Sequence, residues 1–190
     1  MELLHAPVRL PSDIEEMLLR AIWFVAATMI LVASGRLAFA EDAVDPAAVK
    51  SEDGKYLDKE GNPTFKVASD GTVDWYTYSG YRRYHSECHV CHGPDGMGST
   101  YAPELNDTLK TMSYGDFFGV VASGRKNVST SQENVMPAFG DNPNVACYMD
   151  DLYVYLRARA YDAVGRMRPA KHEDKPDAYA KAENSCMGKK

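Results

Sequence analysis

The stretch Cys88-His89-Val90-Cys91-His92 decides the fold of this 190-residue chain. Cys-x-x-Cys-His is the attachment signature of a c-type haem. Two thiols at this spacing add across the vinyl groups of one porphyrin, and the adjacent histidine becomes the proximal ligand of the iron. A redox Cys-x-x-Cys pair should instead follow a strand in a βαβ pattern, and a zinc site needs a second pair of ligands. We therefore predict one covalent haem c on Cys88 and Cys91, with His92 as an axial ligand.

The predicted second axial ligand is Met136, which stands 44 residues after His92 and directly before a proline. Proline stops local helix formation and fixes the loop that presents the thioether. The alternative is a methionine that fills the core. Four other side chains compete for the position: His85, Met112, Met149 and His172. His85 is poorly placed, because it lies only seven residues before His92 on the same segment and does not readily reach the opposite face of the haem.

Helical spacing of apolar residues predicts three helices around these ligands. The first begins near Asp74 or Thr72 and runs into Cys88, the second extends from Ser113 to Gly124, and the third covers 145–160 after a cap at Asn144. Between the first two lies 93–112, which is rich in glycine and proline and is predicted to be a loop. A polar stretch, 126–134, precedes Met136.

Residues 1–40 are typical of a secretory signal peptide cleaved after Ala40. An uncharged run of 13 residues, 21–33, follows Arg20 and is shorter than the roughly 20 residues of a membrane-spanning helix. The alternatives are a buried core helix and an uncleaved anchor. Because 1–16 is acidic where an export signal should be positive, we hypothesise that translation starts at Met17. No stable membrane span is then expected in the mature chain.

The composition excludes several classes of protein. Hydrophobic residues make up 45% and charged residues 25%, so neither a disordered chain nor a multi-span membrane protein is expected. The net charge is −6, and removal of three basic and four acidic residues with the leader leaves −5 over 150 residues. A broad electrostatic surface for nucleic acid is therefore not expected.

The order of motifs resembles a class I cytochrome c over about 75–160: helix, Cys-x-x-Cys-His, a glycine-rich loop with proline, a helix ending in Gly-Arg, Met-Pro, and a final helix. The resemblance implies an all-α, mono-haem domain over 74–162. It also implies that the carbonyl of Pro103 accepts a hydrogen bond from the His92 ring. Arg125 is a candidate partner of a haem propionate, with a solvated surface arginine as the alternative.

Two further segments flank this domain. Residues 41–73 carry turn signals and are predicted to form an irregular N-terminal arm, with a short hairpin around Gly61 as an option. Residues 163–190 form a charged C-terminal tail.

Three longer segments, 91–103, 136–145 and 147–159, are similar to the cytochrome c(L)-type electron acceptors of PQQ-dependent methanol dehydrogenases. This resemblance implies a periplasmic one-electron carrier rather than an enzyme. The donor would be a PQQ-dependent methanol or other alcohol dehydrogenase, and the acceptor a small cytochrome c or an oxidase. Some relatives bind calcium near the haem, which this sequence does not indicate. A mono-haem redox or gas sensor and a haem subunit of another periplasmic oxidoreductase remain the alternatives.

Two cysteines, Cys147 and Cys186, are not used by the haem motif. In an oxidising compartment a disulfide between them is the simplest interpretation, and two free thiols are the alternative. Four-cysteine members of the resembled family favour the disulfide, which would tie the tail to the start of the third helix.

Overall fold

The computed structural model describes residues 45–128 and 133–188, which contain seven helices and five short strands. The helices are α1 (Trp75–Glu87), α2 (His89–His92), α3 (Thr108–Thr111), α4 (Tyr114–Ser123), α5 (Pro143–Ala146), α6 (Met149–Ala160) and α7 (Asp177–Cys186). The strands are β1 (Lys50–Glu52), β2 (Lys55–Leu57), β3 (Pro63–Thr64), β4 (Arg125–Val128) and β5 (Glu133–Met136). The predicted signal peptide, 1–40, and the hypothetical start at Met17 lie outside the described residues.

The predicted beginnings of two helices are confirmed by their caps. The carboxylate of Asp74 accepts a hydrogen bond from the Thr77 backbone N–H at 2.8 Å and starts α1. The Ser113 hydroxyl accepts one from the Asp116 backbone N–H at 3.1 Å and starts α4. Each cap satisfies a backbone donor that the first helical turn leaves unpaired. Gly124 ends α4 as predicted, with a positive φ of 73°.

The core forms where α1 crosses α6. At the crossing stands Gly80, where an added Cβ would lie 1.9 Å from the Asp151 carbonyl oxygen, so only glycine lets the two backbones approach this closely. Eleven of the twelve residues of α6 are buried, including all of 151–160. Leu109 from α3 and Phe117 from α4 complete the same apolar cluster.

The region predicted as an irregular arm contains a small antiparallel sheet in the order β1-β2-β3. β1 and β2 form a hairpin around Asp53 and Gly54, and β2 pairs with β3 across the turn that contains Gly61. A buried ion pair connects this sheet to α6: Arg157 Nη1 lies 2.7 Å from Asp58 Oδ2, and both side chains are fully buried. The sheet therefore packs on α6.

Two predictions of local structure are corrected, and two segments with no predicted element contain one. The described ends of the polar stretch before Met136 lie in the paired strands β4 and β5, and the predicted loop 93–112 contains the short helix α3. The third predicted helix is interrupted at 147–148, and Asn142 rather than Asn144 caps its first part. The Asn142 side chain accepts from the Asn144 N–H because Pro143 occupies the first helical position. The charged tail contains α7, which docks through the buried Tyr179.

Candidate functional site

The predicted attachment segment spans the junction of α1 and α2. Cys88 ends α1, with its N–H donating to the Tyr84 carbonyl at 2.9 Å, and its own carbonyl accepts from the His92 N–H at 3.0 Å. Cys88 and Cys91 are both free thiols rather than a disulfide. Burial raises the pKa of the Cys88 thiol to about 12, whereas Cys91 is exposed. The segment thus presents two reduced sulfurs at the spacing that haem attachment needs.

The ring of His92 is buried and fixed in one tautomer. Its Nδ1 lies 3.0 Å from the carbonyl oxygen of Pro103. A carbonyl only accepts hydrogen bonds, so Nδ1 is the donor, and in the neutral ring the lone pair is then on Nε2. No residue in the described part of the chain donates a hydrogen bond to Nε2. The ring is therefore oriented with Nε2 as the nitrogen that can bind iron.

The loop after His92 depends on two glycines. Gly93 and Gly98 have φ of 78° and 80°, a region that disfavours other residues. The Gly98 N–H donates to the His92 carbonyl at 2.9 Å, and a Cβ on Gly93 would lie 2.7 Å from the Gly98 oxygen. The loop is also tied to the attachment segment through the Ser99 hydroxyl, which donates to the Cys91 carbonyl at 2.5 Å. These contacts bring Pro103 back to the His92 ring.

Met136 lies at the end of β5 and packs against the same apolar cluster as Cys88. The backbone after it is tied to α4, since the Phe139 N–H donates to the Val121 carbonyl at 3.0 Å. Gly124 allows the close approach: a Cβ there would lie 2.6 Å from the Met136 carbonyl oxygen. The structure therefore brings the Met-Pro segment and the attachment segment onto one core.

The four competing ligands have other surroundings. The Nδ1 atom of His85 lies 2.8 Å from the Tyr81 carbonyl, and Met149 is a core residue that is 3% exposed. His172 stacks on the Tyr78 ring with a centroid distance of 3.8 Å. Met112, like Met136, is partly buried against the main core cluster. Met112 is therefore the natural comparison for any test of Met136.

Arg125 and the remaining cysteines complete the predicted set. Arg125 is exposed and faces Met136 in the β4–β5 register, so its role towards a propionate stays a prediction. The disulfide between Cys147 and Cys186 is confirmed, with 5.8 Å between the Cα atoms. It joins the residue that follows α5 to the last residue of α7.

The residues present fit a covalent haem c. The thiols are not oxidised to each other, the His92 lone pair is unoccupied by protein, and the surrounding core is apolar. An imidazole and a thioether also form a recognised pair of haem ligands. In the described residues, no group of three or more His, Cys, Asp or Glu side chains is arranged to hold a free metal ion. None of the helices in 45–128 and 133–188 combines the length and apolar composition that a bilayer span requires.

Two buried side chains near the site were missed by the sequence analysis. Tyr84 donates its hydroxyl to the Gly93 carbonyl at 2.5 Å. Arg159 donates to the Val164 carbonyl at 2.7 Å and, more weakly, to the Asp95 carbonyl at 3.4 Å. The only signal for Tyr84 is an aromatic residue one helical turn before Cys88, and Arg159 resembled any helix-terminal arginine.

Comparisons with known proteins identify similar chains, although no family model matches. Cytochrome c-553I of Paracoccus denitrificans is 56% identical over 136 residues, or 72% of this chain, and the chain spans 60% of that protein's length. Cytochrome c-555 of Methylococcus capsulatus is 38% identical over 110 residues, which cover 57% of this chain and 80% of the relative. The crystal structure of c-type cytochrome XoxG from Methylobacterium extorquens AM1 superposes with a TM-score of 0.69 at 56% identity, covering 80% of this chain and 96% of that one.

Proposed function

The chain belongs to the c-type cytochromes, a family of electron carriers, and from this premise we propose that it shuttles single electrons from a periplasmic alcohol dehydrogenase. The similarity to XoxG confirms the class I fold and the resemblance to cytochromes c made from the sequence. The proposed cofactor is one haem c, attached through Cys88 and Cys91. Its proposed axial ligands are His92 and Met136.

The observation that carries the proposal is the state of the His92 ring. Pro103 holds the proton on Nδ1, which leaves the Nε2 lone pair for a metal. A hydrogen bond donated by the nitrogen that does not bind the metal also raises the basicity of a ligating imidazole and fixes its orientation. A carrier needs such a rigid ligand, because reorganisation during electron transfer would slow the reaction.

Haem c supplies a reversible Fe(II)/Fe(III) couple, and thioether ligation raises its potential relative to two imidazoles. This chain's residues contribute rigidity and a dry environment. Cys88 and Met136 both pack against the apolar core cluster that includes Phe117 and Leu109. Cys91 is exposed, so the attachment edge is accessible to another protein.

The partners follow from the sequence resemblance. Similarity to the cytochrome c(L)-type proteins supports a PQQ-dependent methanol or other alcohol dehydrogenase as the donor. The acceptor would be a small cytochrome c or an oxidase. The predicted cleavage after Ala40 supports a periplasmic location, and the predicted net charge of −5 favours a donor with a basic patch. Association should then weaken as salt increases.

The Met136 ligand is tested by spectroscopy of the ferric protein. Ferric haem c with a methionine ligand has a weak far-red sulfur-to-iron charge-transfer band. Met136→Ala should abolish this band, whereas Met112→Ala, which removes the comparable partly buried methionine, should retain it. A band that survives in Met136→Ala would refute the ligand. Its absence from the wild-type protein would favour an open-site sensor instead.

The donor is tested by stopped-flow reduction. Purified PQQ-dependent methanol dehydrogenase, supplied with methanol, should reduce this cytochrome faster than it reduces an unrelated class I cytochrome c. The rate constant should fall as sodium chloride is raised. Equal rates for the two cytochromes would contradict the assignment of the donor while leaving the haem ligands unaffected.

A further inference from the structure

The strongest unassigned feature beside the proposed haem site is Tyr84. This residue is fully buried in the last turns of α1 and contacts both ends of the attachment segment. Its backbone carbonyl accepts from the Cys88 N–H at 2.9 Å. Its side-chain hydroxyl donates to the Gly93 carbonyl at 2.5 Å. Tyr84 therefore makes one hydrogen bond at the start of the segment Cys88–His92 and another directly after its end.

The hydroxyl of Tyr84 is fixed within the turn that follows His92. The Gly96 backbone N–H also lies close enough to the phenol oxygen to favour its ionised form, but burial dominates and raises the pKa of Tyr84. The proton therefore stays on the oxygen and remains available to the Gly93 carbonyl. The carbonyl lies in the residue next to His92, so this hydrogen bond limits rotation of the backbone that bears the imidazole.

A neighbouring residue, Tyr155, shows that a tyrosine ring can be buried in this core without a hydrogen bond from its hydroxyl. Tyr155 is also fully buried, and its ring centroid lies 5.5 Å from that of Tyr84. Within the described residues, the Tyr155 hydroxyl has no hydrogen-bond partner. The two tyrosines thus share burial and aromatic packing and differ in the bond to the haem-attachment loop.

We propose that Tyr84 is a positioning residue, whose hydroxyl holds the His92 backbone so that the imidazole keeps its hydrogen bond to Pro103. The inference rests on the proposed function, because it concerns the orientation of a proposed haem ligand. Pro103 holds the His92 ring by accepting a hydrogen bond from its Nδ1, and Tyr84 holds the backbone beside His92 by donating to the Gly93 carbonyl. Loss of the second contact should loosen the first.

The test measures solvent exchange of the His92 Nδ1 proton by NMR in the ferrous holoprotein. Tyr84→Phe removes one hydroxyl and preserves the ring, and Tyr155→Phe is the matched control. Loss of a hydrogen bond of ordinary strength should accelerate exchange about tenfold in Tyr84→Phe. The backbone amide of the fully buried Ala158 serves as the reference for global unfolding.

The expected result is faster exchange at His92 in Tyr84→Phe, beyond any change at Ala158, with no change in Tyr155→Phe. The ferric haem-methyl shifts, which report the orientation of the imidazole plane, should move only in Tyr84→Phe. Equal acceleration at both protons, the same effect from Tyr155→Phe, or failure of Tyr84→Phe to fold with haem would each overturn the proposal in favour of a purely structural role. A wild-type protein without low-spin haem would instead refute the proposed function itself.

Discussion

Replacement of Asp58 by asparagine should remove much of the stability of the protein. Asp58 is the buried counterion of Arg157, which also donates to the Asp45 carbonyl at 3.0 Å. The other oxygen of Asp58 accepts from the Asn62 N–H at 2.8 Å, and the asparagine oxygen can retain that bond. The N–H₂ group of the new side chain then faces the Arg157 guanidinium, which is also a donor, and the buried positive charge of Arg157 has no counterion. Breaking a buried ion pair in this way costs about 3–5 kcal/mol.

Urea unfolding of the holoprotein measures this loss. With a slope of about 2 kcal/mol per molar urea, the midpoint should fall by roughly 2 M. The matched control is Asp70→Asn, which disrupts the pair of Asp70 with Lys171, where the side chains are 55% and 60% exposed. Exposed pairs contribute little, so the control midpoint should stay near that of the wild type. Similar midpoints for the two variants would refute the argument from burial.

Three further perturbations have defined outcomes. Replacing Cys147 and Cys186 together by serine should lower the free energy of unfolding in urea by about 4 kcal/mol, because the disulfide closes a loop with a sequence separation of 39. Gly80→Ala should destabilise by about 3 kcal/mol in thermal unfolding through the clash with the Asp151 carbonyl, whereas Gly119→Ala, in open space on α4, should stabilise by roughly 0.5–1 kcal/mol. Burial raises the pKa of Asp151 from 3.8 to about 7, so folding favours the neutral acid. The contribution of the neutral Asp151 carboxyl to the free energy of unfolding is complete below pH 3.8 and is lost as the pH rises through about 7. Asp151→Asn should therefore flatten that part of a plot of stability against pH.

Local chemistry made part of the fold predictable. Asp74 and Ser113 cap helices through bonds to residues three positions ahead, and Gly124 supplies a backbone conformation that favours glycine. The Cys-x-x-Cys-His spacing similarly encodes its chemistry within five residues. Each of these signals is complete within one or two turns of chain.

The features that were missed depend on distant partners. Strand β1 was missed because its three residues are all exposed and too few to show a periodic pattern. Helix α7 has no side-chain cap, and it is fixed by the Tyr179 hydroxyl on Asp151 at 2.5 Å and by the disulfide. The bond from Tyr84 to Gly93 likewise depends on a turn whose shape is set by glycines. Such contacts leave no periodic trace in the sequence.

The near-complete burial of α6 explains why this helix carries ionisable residues inside the protein. A helix packed on one side needs a single apolar face, but the N-terminal sheet and α7 cover additional sides of α6. Asp58 supplies a polar partner to Arg157, and Tyr179 supplies one to Asp151 beside the Ser79 hydroxyl of α1, so each of these two groups has a partner outside the predicted haem domain. Without those segments, Arg157 would lose its counterion and Asp151 would lose the Tyr179 hydroxyl. The polar residues of α6 are thus explained by the segments that cover it, and we expect loss of either segment to leave its polar partner on α6 without that hydrogen bond.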